Sequence, residues 1–483
     1  MKRAVCTILT ACSMVCMYGA GTGVSAQNRC MIGTNFTRPA WKAQNDMFAN
    51  YTSVTGDNPW NPQFLEDCTI YGCIRNMDAD HINGSSRSQW TQRPLKTDRN
   101  QSPIAYEWFI DMCNRVGADL WICVPHLTVN RTHAGTPSDY AIRLVILLTT
   151  GVDMKNVSLG DLNALSRKTE ADFTAMGGVK VCEPLKPELK IYLEYSNETW
   201  NESPFFSQSQ YCVAEAGALN LGGNKPGARF HGWAAIRVFR GAELVLGVGS
   251  PRLVKVLAGF TMDMSHFGDQ LYVVNSEELN PWKTTVNAIS TAPYIGHNAT
   301  TVAGVRAELP QAKTQAYLAR RVANQTGLKL FAYEAGQHVL SNCIAVNSDP
   351  EMYGIYREYL DTLSRYFDCI AHFSQVGIWG GSGCWGAKQY TGQPLAEAHK
   401  YRAIADWVSA NPYVPTAVTH EQRTAFRPNV TAVLTTGTRC YSIAGRLLDA
   451  RGRTGGSPVI MYVTRDTGGP AVSQRVTGRT LAW

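Results

Sequence analysis

Eight short apolar or β-branched runs, each closed by polar or turn residues, limit the fold of this chain more than any other feature. Segments with helical periodicity lie between several of them, and strands that alternate with helices are typical of parallel β/α units. Eight such strands over about 380 residues favour a (β/α)8 barrel, an α/β fold, over an open sheet. The runs are residues 31–35, 73–77, 120–124, 191–196, 254–260, 288–294, 329–334 and 370–378.

Helical patterns are clearest between the later runs. Residues 228–246 carry apolar side chains at helical spacing, and residues 311–325 end just before Gly327, a favourable residue at a helix C-terminus. Asp349 and Pro350 form an N-cap followed by a first-turn proline, which predicts a third helix. These segments are the connections that a parallel barrel requires.

The N-terminal residues have the pattern of an export signal. Lys2 and Arg3 precede an apolar stretch of small residues, and Val24-Ser25-Ala26 fits the rule for a cleavage site. We expect residues 1–26 to be a signal peptide and the protein to be secreted. No other apolar run approaches the roughly 20 residues of a membrane helix, so no membrane span is expected.

The composition changes after Asn411-Pro412. The following residues are rich in Thr, Val, Gly and Arg, with alternating patterns at 430–435 and 458–464. We therefore predict a barrel over residues 27–412 and a small β-rich or disordered appendage, an Arg-rich tail, over residues 413–483. Two interpretations of this tail stay open: a solvated segment without function, or a contact with an acidic glycan or cell surface.

The charge distribution argues against a nucleic-acid partner. The chain has 45 Lys and Arg against 38 Asp and Glu, a net charge of +7. Residues 420–483 alone hold nine Arg and three acidic residues, and Lys2 and Arg3 add two more positive charges. The barrel is therefore close to neutral, and no basic stripe with interleaved aromatic residues runs through it. We expect a monomer that binds an uncharged partner.

The cysteines are assigned to structure. Of fourteen, eleven remain after residue 26, and none of them form the C-x-x-C pairs typical of zinc sites. We expect no metal and no cofactor. Export permits disulfides, and Cys68 with Cys73 and Cys113 with Cys123 are close enough in sequence to pair, although the connectivity stays open. Because eleven is odd, one thiol is expected to be free or paired outside the chain.

Two predicted strands end in glutamate. The run 191–196 is followed by Asn197-Glu198, and the run 329–334 ends at Glu334. These are the fourth and seventh strands, whose carboxyl ends face each other across the mouth of a barrel, where active sites lie. Two facing carboxyl groups can cleave a glycosidic bond, one as a proton donor and the other as an ionised nucleophile.

The motifs around these glutamates resemble clan A of the glycoside hydrolases, the retaining (β/α)8 enzymes that include family 5. A closer resemblance, over residues 32–407, is to a group of exported clan-A-like proteins, some of them labelled cellulose-binding. It is carried by YLEYSNETWN, RLVKVLAGF, AISTAPYIG, LFAYEAGQHV and HFSQVGIWGGSGCWGAKQY. The resemblance implies that Glu198 is the acid/base, that Glu334 is the nucleophile, and that Asn197 binds the 2-hydroxyl group of the sugar.

Other strand ends acquire roles from the same resemblance. Arg75 lies where the clan keeps an arginine near the nucleophile, and such a cation stabilises an ionised carboxylate. His126 matches the histidine after the third strand. Tyr294 matches the tyrosine that binds the nucleophile. The clan's residue after the fifth strand has no clear equivalent, and His266 is the candidate with poor spacing.

The remaining candidates concern substrate binding. Either Trp379 or Trp385 is expected to form the aromatic floor under the sugar before the cleaved bond, because apolar sugar faces pack on aromatic rings. His338 and Asp78 are further substrate-binding candidates. Among the early tryptophans, two are candidate extensions of the cleft, whereas Trp108 is expected to pack in a helix; the two are Trp60 and Trp90.

We therefore expect a secreted retaining glycoside hydrolase that acts on a β-linked polysaccharide or oligosaccharide. Two alternatives stay open: a transglycosylase that uses the same residues, and a non-catalytic carbohydrate-binding protein on a barrel scaffold. An esterase lacks support because the chain has no G-x-S-x-G motif. The sequence Asn197-Glu198-Thr199 is itself a glycosylation sequon, and we expect folding to shield it from modification.

Overall fold

The computed structural model is a closed barrel of eight parallel strands that are neighbours in chain order. It describes residues 30–37, 47–48, 54, 56–380, 383–414, 438–441 and 462–465. The last strand pairs with the first, which closes the barrel. The predicted α/β barrel is confirmed. Its strands are β1 (Met31–Asn35), β2 (Cys73–Asn76), β3 (Asp119–Val124), β4 (Ile191–Tyr195), β5 (Leu253–Ala258), β6 (Ala288–Thr291), β7 (Lys329–Ala332) and β8 (Cys369–His372).

The strands are shorter than the predicted runs at their carboxyl ends. The runs 288–294, 329–334 and 370–378 extend past the ends of β6, β7 and β8 by two to six residues, and Tyr294 and Glu334 fall in that excess. Beyond the strand ends the loops pair only through isolated bridges, such as that of Ile295 with Gln337. The polar ends of the runs therefore lie in the mouth of the barrel, where catalytic residues of this fold are found.

Side chains alternate between the barrel interior and the surrounding helices. The interior is filled by a packed cluster that includes Trp121, Tyr192 and Phe331. Two residues further along β2 and β4, Arg75 and Glu194 point to the same interior. A polar layer thus lies directly above an apolar one.

The helices surround the barrel and bury their apolar faces against the outer side of its strands. The three predicted helices are present: Leu309–Thr326 ends just before Gly327, whose φ is 67°, and Asp349 accepts a hydrogen bond from the amide of Glu351, the first residue of the third helix. The helices are α1 (Pro62–Cys68), α2 (Tyr106–Val116), α3 (Asp139–Thr150), α4 (Glu170–Ala175), α5 (Ser207–Ala218), α6 (Pro226–Leu246), α7 (Ser265–Val274), α8 (Val302–Ala307), α9 (Leu309–Thr326), α10 (Cys343–Ser348), α11 (Glu351–Leu363) and α12 (His399–Ala410).

Two small two-stranded antiparallel sheets lie outside the barrel. Val152–Asp153 pairs with Val179–Lys180, and in the predicted tail Thr438–Tyr441 pairs antiparallel with Tyr462–Arg465. The predicted signal peptide and most of residues 413–483 lie outside the described residues. Within the described part of the chain, no helix is both long and apolar enough to cross a membrane.

The cysteine pairing differs from the candidates considered. A disulfide joins Cys343 to Cys384, whereas Cys68, Cys73, Cys113 and Cys123 are buried free thiols. Both candidate pairs are wrong because each would join opposite sides of the barrel wall: one partner packs among the helices and the other points into the barrel. The prediction of a single free thiol is also wrong, since several described cysteines outside the two candidate pairs are free thiols, among them Cys182, Cys212 and Cys369.

Candidate active site

The site is built around Arg75, a fully buried arginine in the interior of the barrel. A guanidinium cannot lose its charge in a protein, so burial requires acceptors on every side. Across the barrel, Glu194 on β4 accepts two parallel hydrogen bonds, from Nε and Nη2 of Arg75, both at 3.0 Å. Glu194 is also fully buried and accepts a further bond from the Trp121 indole at 2.9 Å.

The other N–H groups of Arg75 reach toward the mouth. Nη1 donates to Asn35 Oδ1 at 3.0 Å and to Glu334 Oε1 at 3.1 Å, and Nη2 donates to Asn197 Oδ1 at 2.9 Å. A guanidinium has five N–H groups, and all five are used here. Arg75 therefore fixes two of the predicted site residues, Glu334 and Asn197, relative to each other.

Glu334 follows β7 by two residues and is 6% exposed. Its second oxygen, Oε2, accepts a hydrogen bond from the Tyr294 hydroxyl at 2.8 Å. Burial raises the pKa of this carboxyl and the charge of Glu198 raises it further, while Arg75 and Tyr294 lower it. Glu334 is thus the glutamate of the pair that contacts a cation.

Glu198 lies three residues beyond β4, in a turn where both Ser196 and Glu198 have positive φ, 58° and 40°. Such conformations are unusual for residues other than glycine, and they direct this side chain toward β7. The hydroxyl of Tyr333 donates to Oε1 and the amide of Asn201 to Oε2, both at 3.0 Å. Burial raises the pKa of Glu198, and neither hydrogen-bond donor is charged.

The two carboxyl groups therefore have different surroundings within one network. Tyr333 binds Glu198 and directly precedes Glu334 in the chain, so the pair is close enough for each charge to oppose ionisation of the other. Arg75 favours the ionised form of Glu334, whereas the two groups that donate hydrogen bonds to Glu198 are neutral.

Asn197 is 1% exposed and held from both ends of its amide. Its oxygen binds Arg75, and its Nδ2 donates to Asn83 Oδ1 at 3.0 Å. Gln208 donates to the same oxygen of Asn83 and to the Asn197 carbonyl. Because Thr199 is also buried, the sequon at Asn197 lies in the interior of the folded protein.

Aromatic rings extend from the Glu334 side of the site. The Tyr294 ring lies 5.3 Å from His338, and the His338 ring lies 5.6 Å from Trp385 and 5.0 Å from His297. The Trp385 indole donates to His338 Nδ1 at 3.3 Å. Burial lowers the pKa of His338 to about 4, so this ring is neutral at pH 7.

The structure separates the two candidate tryptophans. Trp385 is partly exposed and belongs to the group next to Glu334. Trp379 is 5% exposed, donates to the Gly386 carbonyl and lies against the buried Lys400 ammonium, so it packs in the core. Its role as a sugar floor stays a prediction. Trp60 and Trp90 are also in the core, each 3% exposed, and not in the cleft.

A second set of rings extends from the Glu198 side. Trp200 lies 6.0 Å from the Tyr333 ring and 6.0 Å from His266, and Phe260 follows at 6.2 Å from His266. Phe260 is 40% exposed. His266, the poorly spaced candidate, thus lies at the mouth between two aromatic residues that the sequence analysis left out of the site.

Two predicted residues lie outside the Arg75 network. His126 follows β3, is 2% exposed, and packs its ring against Tyr211 with Nδ1 buried and unpartnered. Burial lowers its pKa to about 4. Asp78 lies two residues past β2 in a turn where its carbonyl accepts a hydrogen bond from the His81 amide. Substrate contact by either residue stays a prediction.

Sequence reasoning missed Glu194, Tyr333 and Asn201. Glu194 had a detectable signal, since an acidic residue at an inward position of an apolar strand needs a buried partner, and Arg75 has the same position on β2. Within the described ranges, no group of three or more His, Cys, Asp or Glu side chains is arranged to hold a metal ion.

The molecule is thus a (β/α)8 barrel with a glutamate after the carboxyl end of β4 and another after that of β7, each hydrogen-bonded to its own partners. No protein-family model and no curated protein sequence matches the chain. Solved structures similar to it in fold include proteins of glycoside hydrolase families 51, 10 and 26. A family 51 α-L-arabinofuranosidase from Bifidobacterium longum is 12% identical over 72% of this chain and 67% of its own, with a TM-score of 0.43.

A family 10 protein from Paenibacillus barcinonensis is 13% identical over 80% of this chain and 97% of its own, with a TM-score of 0.37. An endo-β-1,4-mannanase from Cellulomonas fimi is 12% identical over 80% and 75%, with a TM-score of 0.38. At these values the likeness concerns the barrel alone.

Proposed function

We propose that this protein is a secreted retaining glycoside hydrolase that acts on a β-linked polysaccharide or oligosaccharide. The observation that carries the proposal is the difference between the two carboxyl groups. Glu334 contacts the Arg75 cation, whereas Glu198 contacts only neutral donors. Double displacement requires this division, with one carboxylate ionised and one carboxylic acid protonated.

In the first step Glu334 attacks the anomeric carbon and forms a glycosyl ester. The glycosidic bond breaks, and its oxygen takes the proton of Glu198, so the leaving group departs as an alcohol. In the second step water attacks the anomeric carbon and gives a proton to Glu198, and the ester bond breaks to release the sugar and the Glu334 carboxylate. A sugar hydroxyl in place of water would give transglycosylation.

The surrounding residues are proposed to bind the sugars. One N–H of the Asn197 amide goes to Asn83, and the second is available to the 2-hydroxyl group. Trp385 and His338 would contact the sugar next to Glu334. Because the leaving group must lie beside the proton donor, Trp200 and Phe260 would contact the sugars that depart.

The test is hydrolysis by the mature protein of a panel of plant, fungal and algal polysaccharides, with released sugars analysed. Glu198→Gln and Glu334→Gln should each lower the rate by at least about 10³-fold, because each removes a group that acts in the transition state. If the wild-type protein hydrolyses nothing while glycan binding survives both changes, the protein is a carbohydrate-binding barrel instead.

The stereochemistry is a separate test. The first sugar released should keep the anomeric configuration of the substrate, as observed by proton NMR before mutarotation. Azide should restore cleavage of an activated aryl glycoside by Glu198→Ala and give a glycosyl azide of retained configuration. Inversion in the wild type would exclude the role proposed for Glu334.

A further inference from the structure

The buried carboxylate of Glu194 has no role in the steps above, although it makes more contacts with Arg75 than any other residue does. Its two oxygens accept from Arg75 Nε and Nη2, from the Trp121 indole at 2.9 Å, and from the Cys123 thiol at 3.6 Å. Its side chain is 0% exposed. Glu194 is therefore closed to substrate, and its effect on the reaction must be indirect, through its contacts with Arg75 and through its charge.

Glu194 determines the orientation of the guanidinium. Two parallel hydrogen bonds between an arginine and a carboxylate fix the plane of the group as well as its position. With Nε and Nη2 bound on one edge, Nη1 is directed at Asn35 and Glu334. Arg75 is therefore held in place from below, independently of what happens to Glu334 above.

Glu194 also determines how much positive charge Glu334 experiences. Arg75 lies 3.0 Å from a Glu194 oxygen and 3.1 Å from a Glu334 oxygen, so one cation is shared by two carboxylates. A full, unshared cation would stabilise the ionised nucleophile and make it less basic. In the same sense, the charge of Glu194 raises the pKa of both Glu198 and Glu334.

The shared charge has a further consequence once the nucleophile reacts. A glycosyl ester on Glu334 carries no charge, and a buried arginine without a counter-ion is costly. Because Glu194 keeps its contact with Arg75, the cation stays paired through the covalent intermediate. The polar layer then needs no rearrangement between the two steps.

We infer that Glu194 is a positioning residue for the proposed reaction, which orients Arg75 and partly neutralises it so that Glu334 remains a reactive nucleophile. This inference rests on the proposed function for its meaning. Its physical content, the effect of one buried carboxylate on the ionisation of another, can be measured without any substrate.

The experiment compares the wild type with Glu194→Gln, Glu194→Asp and a matched control, Glu107→Gln. Glu107 forms a similarly buried pair with Arg93, at 2.8 and 3.0 Å, and is 1% exposed. The protein is labelled at the glutamate carboxyl carbon, and Glu334 is titrated by carbon-13 NMR, with Glu334→Gln to assign its signal. Thermal unfolding and pH profiles of kcat/KM are recorded alongside.

In Glu194→Gln the Glu334 midpoint should fall by about 1 pH unit or more, because the Arg75 charge is no longer shared. The acidic limb of kcat/KM should move in the same direction, with kcat reduced at least about tenfold and KM nearly unchanged. Glu194→Asp keeps the negative charge, but its side chain is too short to make both hydrogen bonds to Arg75. The kcat should therefore fall while the titration midpoint of Glu334 stays unchanged. Glu107→Gln should lower thermal stability and change neither the titration midpoint of Glu334 nor kcat.

An unchanged midpoint in folded Glu194→Gln, or an equal shift in Glu107→Gln, would overturn the inference. If Glu194→Gln does not fold, Glu194→Asp decides: a wild-type kcat and pH profile would count against the positioning role. Absence of hydrolysis in the wild type would refute the proposed function alone, because the NMR titration uses the free protein.

Discussion

The hydrogen bond from Tyr294 to Glu334 offers a quantitative test of the nucleophile assignment. Tyr294→Phe removes one hydroxyl, which donates to Oε2 at 2.8 Å, and leaves the ring beside His338. A hydrogen bond to a charged group contributes about 1.5 to 3 kcal/mol. The bond favours the ionised form of Glu334, so its loss raises the pKa of that carboxyl.

At 1.36 kcal/mol per pH unit, the acidic limb of the pH profile should move upward by about 1 to 2 units. Below the limb, kcat/KM should fall by roughly 10- to 100-fold. The assay is kcat/KM for an activated aryl glycoside between about pH 3 and pH 10, with thermal unfolding to confirm that the variant is folded.

The neighbouring hydroxyl provides the matched control. Tyr333 donates to Glu198 rather than to Glu334, so Tyr333→Phe should raise the pKa of Glu198 and move the alkaline limb upward. The direction for Tyr294→Phe is also opposite to that expected for Glu194→Gln. If folded Tyr294→Phe keeps the wild-type acidic limb, Glu334 is not the group whose ionisation starts the reaction.

Four further changes have distinct expected outcomes. Trp379→Ala should lower the free energy of unfolding by about 3 to 5 kcal/mol, because it deletes a core side chain. Trp385→Ala should mainly raise KM, by roughly five- to tenfold, because stacking on a sugar contributes about 1 kcal/mol. Equal effects of the two changes on stability would refute the distinction. Replacing Cys343 and Cys384 by serine opens a loop of 41 residues and should cost about 4 kcal/mol of stability, measured by urea unfolding with the buried Cys212→Ser as control. Because burial raises the pKa of Glu198, its charge opposes folding more as pH rises, so Glu198→Gln should raise Tm at pH 8 relative to wild type more than at pH 4; the reverse order would mean that Glu198 is stabilised by ionisation.

The barrel could be predicted from the sequence because the local spacing of apolar residues distinguishes strands from helices. Three residues that the sequence placed in the site, Asn197, Glu334 and Tyr294, each follow a strand, and the carboxyl ends of parallel strands converge. In the structure, Asn197 and Glu334 contact Arg75, and Tyr294 contacts Glu334. Glu194 was missed because only its inward register, and not its neighbours in sequence, marks it as part of the site.

The sequence did not predict on which side of the barrel wall a given side chain lies. Trp379 and Trp385 are six residues apart in one loop, and one is in the core while the other borders the site. Cys68 and Cys73 are also close in sequence but lie on opposite sides of the barrel wall. Local spacing does not distinguish such positions, because the fold of the loop determines them.

The buried sequon at Asn197 bears on how this protein can be produced. Oligosaccharide transfer acts on unfolded chains as they enter the secretory pathway, before Asn197 has reached Arg75 and Asn83. A chain modified there would carry a bulky group on the nitrogen that must lie beside Asn83, so the barrel mouth could not close around Arg75. Production in a eukaryotic secretory host should therefore divide the protein into an unmodified, folded fraction and a glycosylated fraction retained by quality control.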